Sequence, residues 1–300
     1  MKKTAMLGLA FVLTIHAFAQ CDTSAPGARD ASWSPDGSKI IYVSKSDGNQ
    51  EIFTMNANGT NQKQLTTTDY PNYYPFYSYD GAQIVFMSYV NHKTIICVMN
   101  ENGSGIKHLT DTTSENGDPM FSPDGSKIVF WSDRSGNNEI YTMDRKGGNV
   151  SQITNNQSSD QTPTISPDGK RIVFISDRDG NSEIYTMNIA GKDIFRLTVD
   201  PRLDRVPRWS PDGAKIIYYS GEPSVVAGSR NAAWASAELY EVNADGTGRK
   251  LLTQNLSLDQ GPVYSPDGLK VLFTSCRSGN REIFVMNVDG SDVKRLTFTK

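Results

Sequence analysis

The chain has 300 residues, 37% of them hydrophobic and 21% charged, a balance that fits a folded globular chain and excludes disorder. Its formal net charge is -3, with Lys and Arg spread thinly, so no basic surface is available to draw nucleic acid or anionic lipid.

The first predicted element is a targeting segment. "MKK" is a basic head, "AMLGLAFVLTI" an apolar run, and Ala17 and Ala19 are the small residues that signal peptidase needs. Residues 1–19 are therefore expected to be a signal peptide for a periplasmic or secreted protein. The apolar run is shorter than the roughly 20 residues of a transmembrane span. Residues 20–28 form a leader, and Cys21 within it offers lipidation as an alternative, against which Gln20 stands where a lipoprotein signal has a small residue.

From residue 29 to 300 the chain repeats itself. The Asp of an S-P-D-G turn, "SYDG" in the second repeat, falls at Asp36, Asp80, Asp124, Asp168, Asp212 and Asp267, in steps of 44 residues with a last step of 55. The Thr of a closing "LT" or "IT" falls at Thr66, Thr110, Thr154, Thr198, Thr253 and Thr297, each of the first five 14 residues before the next turn Asp. The 11 extra residues lie in repeat five, within "GEPSVVAGSRNAAWASAE".

Inside each repeat four short strands are predicted: one ending at the turn ("PMFS"), then "KIVFWS", then "EIYTMD", then one ending in "RLT" or its equivalent. They are rich in Ile, Val, Phe and Tyr and are bounded by Gly, Asp, Asn and Pro. A small twisted sheet with two apolar faces can cover both only against its neighbours. The expected fold is therefore all-β, a closed six-bladed β-propeller with four antiparallel strands per blade and no second domain. Trp33, Phe121, Trp209 and Tyr264 stand just before their turns and are expected to be buried between blades. The segment "SDRSGNNE" joins strands two and three, where Gly and Asn suit a hairpin. Asp177 to Glu183 begins like a calcium loop but lacks the later Glu and the flanking helices, so no metal is expected.

The residues that define these repeats, "WSPDG", "KIVFWSDR.GN.EIYTMN" and the closing "LT", resemble the repeat of the TolB-type six-bladed propellers of the Tol-Pal cell-envelope system. The resemblance runs from Arg29 to Thr297 and is looser in repeat two, with "SYVNHKTIICVMN" for its hairpin. It is specific for the propeller; classical TolB also has a large N-terminal domain, which the leader here does not supply. It implies a non-enzymatic scaffold that binds an envelope protein or a peptide segment of one.

Catalytic signatures are sparse. No G-x-S-x-G elbow is present for a propeller-type serine peptidase. The three histidines, His16, His92 and His108, cannot build the His-rich metal site of the oligogalacturonate lyases with a similar propeller. A carboxylate pair for glycoside cleavage is recognisable only by geometry. No enzyme activity and no cofactor are expected, and a carbohydrate-binding or carbohydrate-active propeller is the alternative.

The loops from strand four to the next strand one share a face with the strand-two-to-three hairpins, and they place Asp160, Asp204 and Asp259 in equivalent positions, with Asn72 and Asn116 completing the series. These residues either cap the turn before the Pro or rim a mouth for a cationic peptide segment or for cations. Tyr73 and Tyr74 beside them are side chains that interfaces favour, or would stack on a glycan. Trp234, in the insertion, is expected to lie over the channel mouth or a neighbouring blade and contribute to the partner site. Cys97 reads as a buried filler. Cys276 sits on the last repeat's hairpin, at the seam where the leader begins, so a Cys21–Cys276 disulfide is one expectation, and an unpaired Cys276 with Cys21 lipidated or flexible is the other. A monomer is expected.

Overall fold

Ser34 shows why each blade turns where it does. Its hydroxyl donates to Asp36 Oδ1 at 2.6 Å and accepts from the Lys39 amide at 2.9 Å, while Asp36 Oδ1 accepts from the Ser38 amide at 3.0 Å. Gly37 supplies the left-handed φ of 70°. The Ser34 and Ser38 hydroxyls hold the Asp36 carboxyl down to about 2. The same Ser-to-Asp bond recurs at Ser78, Ser122, Ser166, Ser210 and Ser265, so S-P-D-G is a self-contained turn between the first two strands of a blade.

The computed structural model describes Cys21 and residues 27–46, 48–223, 234–255 and 257–299. The expected signal peptide, most of the leader and residues 224–233 of the insertion lie outside them. Blade one consists of Ala28–Trp33, Lys39–Ser46, Asn49–Asn56 and Lys63–Gln64, paired antiparallel in chain order. Five further four-stranded sheets repeat that order. Their innermost strands are Asn72–Tyr77, Asn116–Phe121, Asp160–Ile165, Leu203–Trp209 and Asp259–Tyr264. Each inner strand touches the next and the sixth touches the first, so the six blades close into a β-propeller. This alternation puts the S-P-D-G turns on one face, the turn face, and the strand-two-to-three hairpins on the other, the hairpin face.

The core is not central; it is divided among the six blade junctions. Each apolar cluster is shared by two neighbours, as where Phe76, Val85 and Ile96 of blade two meet Phe121, Ile128 and Phe130 of blade three. Each fully buried side chain of this kind contributes about 1.5–3 kcal/mol of transfer free energy. Phe121 and Tyr264 are buried as expected. Trp33 and Trp209 are only partly buried, because one side of each packs on a junction while the other lines an axial cavity. At the seam, Ala28 N donates to Arg281 O at 2.8 Å, the same joint made by Asp160 N to Asn138 O and Asp204 N to Ser182 O. Cys21 is disulfide-bonded to Cys276 across that seam, with Cα atoms 5.3 Å apart. Cys97 is buried, and burial pushes its thiol up to about 12.

Candidate functional site

Two sets of polar residues repeat with the blades, one on the hairpin face and one on the axis. On the hairpin face, Asn116, Asp160 and Asp259 at the start of their inner strands are each held by an arginine of their own blade. Arg178 Nη2 lies 3.1 Å from both carboxylate oxygens of Asp160, Arg277 Nη2 is 2.8 Å from Asp259 Oδ2, and Arg134 Nη2 is 2.9 Å from Asn116 Oδ1. The same arginines stack over their blade's cross-strand aromatic pair, Arg178 at 5.4 Å from Phe174 and 4.8 Å from Tyr185. Asn116 is 1% exposed and Asp160, Asp204 and Asp259 are 0% exposed. Asn116, Asp160 and Asp259 thus brace their own blades, and all four side chains are closed off from solvent.

Asp204 departs from its counterparts. The position of Arg178 is taken in blade five by Glu222, where the insertion begins, and that of Asn156, which donates to Asp160 at 2.8 Å, is taken by Asp200. Neither carboxylate oxygen of Asp204 has a hydrogen-bond partner among the described residues. Burial pushes the carboxyl up to about 6, softened by the neighbouring Ser220 and Thr198 hydroxyls. Trp234 opens a strand, Trp234–Asn243, and its backbone pairs with Pro223; its side chain lies outside what is described.

The axis is built by a bulge that recurs in every inner strand. Register slips between Arg29 and Ser32, Tyr73 and Phe76, and at the equivalent places in the other blades. One residue at each slip is left-handed: Asp30, Tyr74, Asp118, Thr162, Val206 and Gly261, with φ between 47° and 58°. A Pro follows in five of the six, tolerated because a bulged residue owes no amide to the ladder. Thr and Val rarely adopt such φ values, and each such residue stores strain of order 1–3 kcal/mol. The bulge turns this ring of residues toward the centre.

There the side chains act on one another across the ring. Asp30 of blade one and Asp118 of blade three both have carboxyls pushed up by burial; Arg29 and Arg281 oppose the shift at Asp30, and Arg208 and Arg205 oppose it at Asp118. The Asp30 charge first, then burial, holds the Tyr74 hydroxyl well above its ordinary value. Trp131 Nε1 donates to Asp118 Oδ2 at 2.7 Å, its indole lying over Gly117. Tyr73 carries the Arg29 guanidinium 5.0 Å above its ring. Of the residues singled out in the sequence, Tyr73 and Tyr74 are thus brought together at the axis, whereas Asn116, Asp160, Asp204 and Asp259 stay within their blades.

Toward the turn face the axis opens into a cavity of about 330 Å³ to which all six blades contribute. Its wall holds Ser32, Phe76, Thr164, Arg208 and Val263, its sides Trp33, Tyr77 and Trp209, and its rim Pro35, Tyr79, Pro167 and Pro266. Arg208 is 4% exposed and Thr164 2%. Arg208 Nη1 donates to Pro207 O at 3.1 Å, and its guanidinium lies 4.9 Å over Phe76; its Nε, and Thr164 Oγ1, have no hydrogen-bond partner among the described residues. Sequence reasoning missed Arg208. Aligned by repeat, its column reads Ser32, Phe76, Met120, Thr164, Arg208 and Val263, and one charge in an otherwise uncharged column was the available signal. Among the described residues no cluster of three His, Cys, Asp or Glu could hold a metal, and no helix is long and apolar enough to cross a membrane.

The TolB beta propeller domain family matches this chain over residues 15–117 and 59–233. A protein TolB homolog of Chlorobium luteolum is 37% identical over 51 residues, 17% of this chain and only 12% of that protein. The crystal structure of TolB from Acinetobacter baumannii superposes with a TM-score of 0.68 at 25% identity, covering 90% of this chain and 62% of that one. A putative TolB from Agrobacterium tumefaciens shares the fold, with a TM-score of 0.67 at 24% identity over 81% of this chain and 87% of that one.

Proposed function

Since the chain belongs to the TolB beta propeller domain family, we propose that it is a non-enzymatic binding scaffold of the cell envelope, exported by residues 1–19, that receives a segment of a protein partner at the turn-face mouth of its axis. The observation that carries this reading is the axial cavity itself, walled by aromatic rings and Pro from six blades, with polar groups at its wall left without partners. Such a lining, apolar with a few convergent polar groups, is what binding sites have. Tyr73 and Tyr74 belong to the far end of the same axis.

A glycan is the second reading, favoured by the indole faces of Trp33 and Trp209 along the cavity, flat surfaces on which a sugar ring stacks. Capture from envelope extract on the immobilised chain, run beside a glycan array, separates the two. Retention of a protein with no glycan signal supports the scaffold; glycan binding alone favours the second reading; hydrolysis or elimination of a bound glycan would overturn the non-enzymatic role.

A further inference from the structure

Arg208 is the group the fold leaves unexplained. The brace arginines Arg178 and Arg277 each hold a carboxylate in hydrogen-bond contact. Arg208 is buried more deeply and, among the described residues, has no ion pair within 4 Å and makes one hydrogen bond, to the carbonyl of Pro207. Asp118 acts on it only at longer range and is already the acceptor for Trp131. A buried guanidinium is costly unless its donors are filled.

The surroundings say what would fill it. Arg208 is the one charged residue among those that line the cavity, with Asp118 acting on it at longer range. The site therefore favours an anion. A guanidinium edge whose Nε–H is unpartnered among the described residues matches the two oxygens of a planar carboxylate, and the unpartnered hydroxyl of Thr164, a residue of the same wall, is another donor. Phe76 and the Trp209 indole leave apolar surface for the body of the ligand.

We infer that the turn-face cavity is a carboxylate-binding site, with Arg208 and Thr164 holding the carboxylate and the aromatic walls holding the group that bears it. The inference rests on the binding role proposed above and names the chemistry recognised there. The carboxylate could be that of a free small acid or the C-terminus of a peptide, and the probes tell them apart.

Titration of the full chain, followed by calorimetry and by tryptophan fluorescence, would use benzoate against benzamide, and acetyl-Gly-Gly-Phe as free acid against its amide. The expected result is that an acid binds about tenfold or more tightly than its amide, the loss expected when a charged hydrogen bond cannot form. The tighter of the two acids identifies the source. Arg208→Gln should abolish the preference; since it also removes a charge that opposes the raised Asp118 carboxyl, Thr164→Val, which removes an unpartnered hydroxyl, serves as the second variant and should weaken acid binding severalfold with folding intact. Equal binding of acid and amide, or no acid binding at millimolar concentration, overturns the inference. A chain that still captures its protein partner without any preference for acids loses this inference and keeps the scaffold role. Acid binding without capture does the reverse.

Discussion

A methyl group added at Gly117 would sit 2.4 Å from Trp131 Cε2, inside van der Waals contact. The indole would have to move, and with it the bond that fixes Asp118 on the axis. Gly117→Ala is expected to cost about 1–3 kcal/mol of stability, typical of overpacking, read as a lowered urea midpoint. Asp204 carries a pH signature. Its folded pKa, near 6, lies above the ordinary 3.8, so the unfolded chain loses this proton first. Stability from this group is complete below about pH 4, falls as pH rises through 6, and stays lower above it, by about 3 kcal/mol at 1.36 kcal/mol per unit. Asp204→Asn, the residue found at positions 72 and 116, should raise the melting temperature at pH 7.5 and remove that slope between pH 4 and 6. An unchanged slope in the variant would assign it to another group. The position of Asp204 was legible in the sequence from its column; its isolation was not, because it arises from two substitutions, Glu222 and Asp200, at places that only the folded blade brings beside it.

At the scale of the element, the closing Thr and the hairpin Glu of a blade form one device. Thr198 Oγ1 donates to Glu183 Oε2 at 2.6 Å and accepts from the Ile184 amide at 2.9 Å, while Glu183 Oε1 accepts from the Asp200 amide at 2.8 Å. The device recurs with Glu51, Glu238 and Glu282, tying the fourth strand to the third. Thr198→Val keeps the shape and strands one oxygen of the buried Glu183 carboxylate and the Ile184 amide, so a loss of about 1–3 kcal/mol is expected in chemical denaturation. An effect below measurement would mean that water replaces the hydroxyl. The hairpin was readable from Gly and Asn, whose backbone preferences are local. The Glu was not, since a lone acid in a polar loop looks like a surface residue until its partners, some 15 residues away, are placed.

Across the whole molecule, periodicity made the architecture legible. A 44-residue spacing held through five of six repeats leaves little besides a ring of equal blades, and strand number followed from the turns. The axis was less legible because its chemistry lies in the departures from the repeat, such as Arg208 and Asp118, and because a left-handed bulge decides which side chains face inward. Ring closure adds a third test. The Cys21–Cys276 bond spans 255 residues, for which chain entropy gives about 5.5 kcal/mol, an upper figure. Reduction should lower the unfolding temperature and open Cys21 to alkylation, while Cys97 and Cys276, both buried, stay unlabelled in the native state. An unchanged unfolding temperature would show that the Ala28 to Arg281 joint and the apolar seam suffice.

Which face the partner meets is decided most directly by site-specific photocrosslinking in envelope extract. A benzophenone amino acid would replace Tyr79, exposed on the turn-face rim of the cavity, and in a second sample Ser135, exposed on a hairpin. The predicted result is a protein adduct at position 79 and none at 135. An adduct at 135 alone, or at neither position, would contradict a partner site at the turn-face mouth.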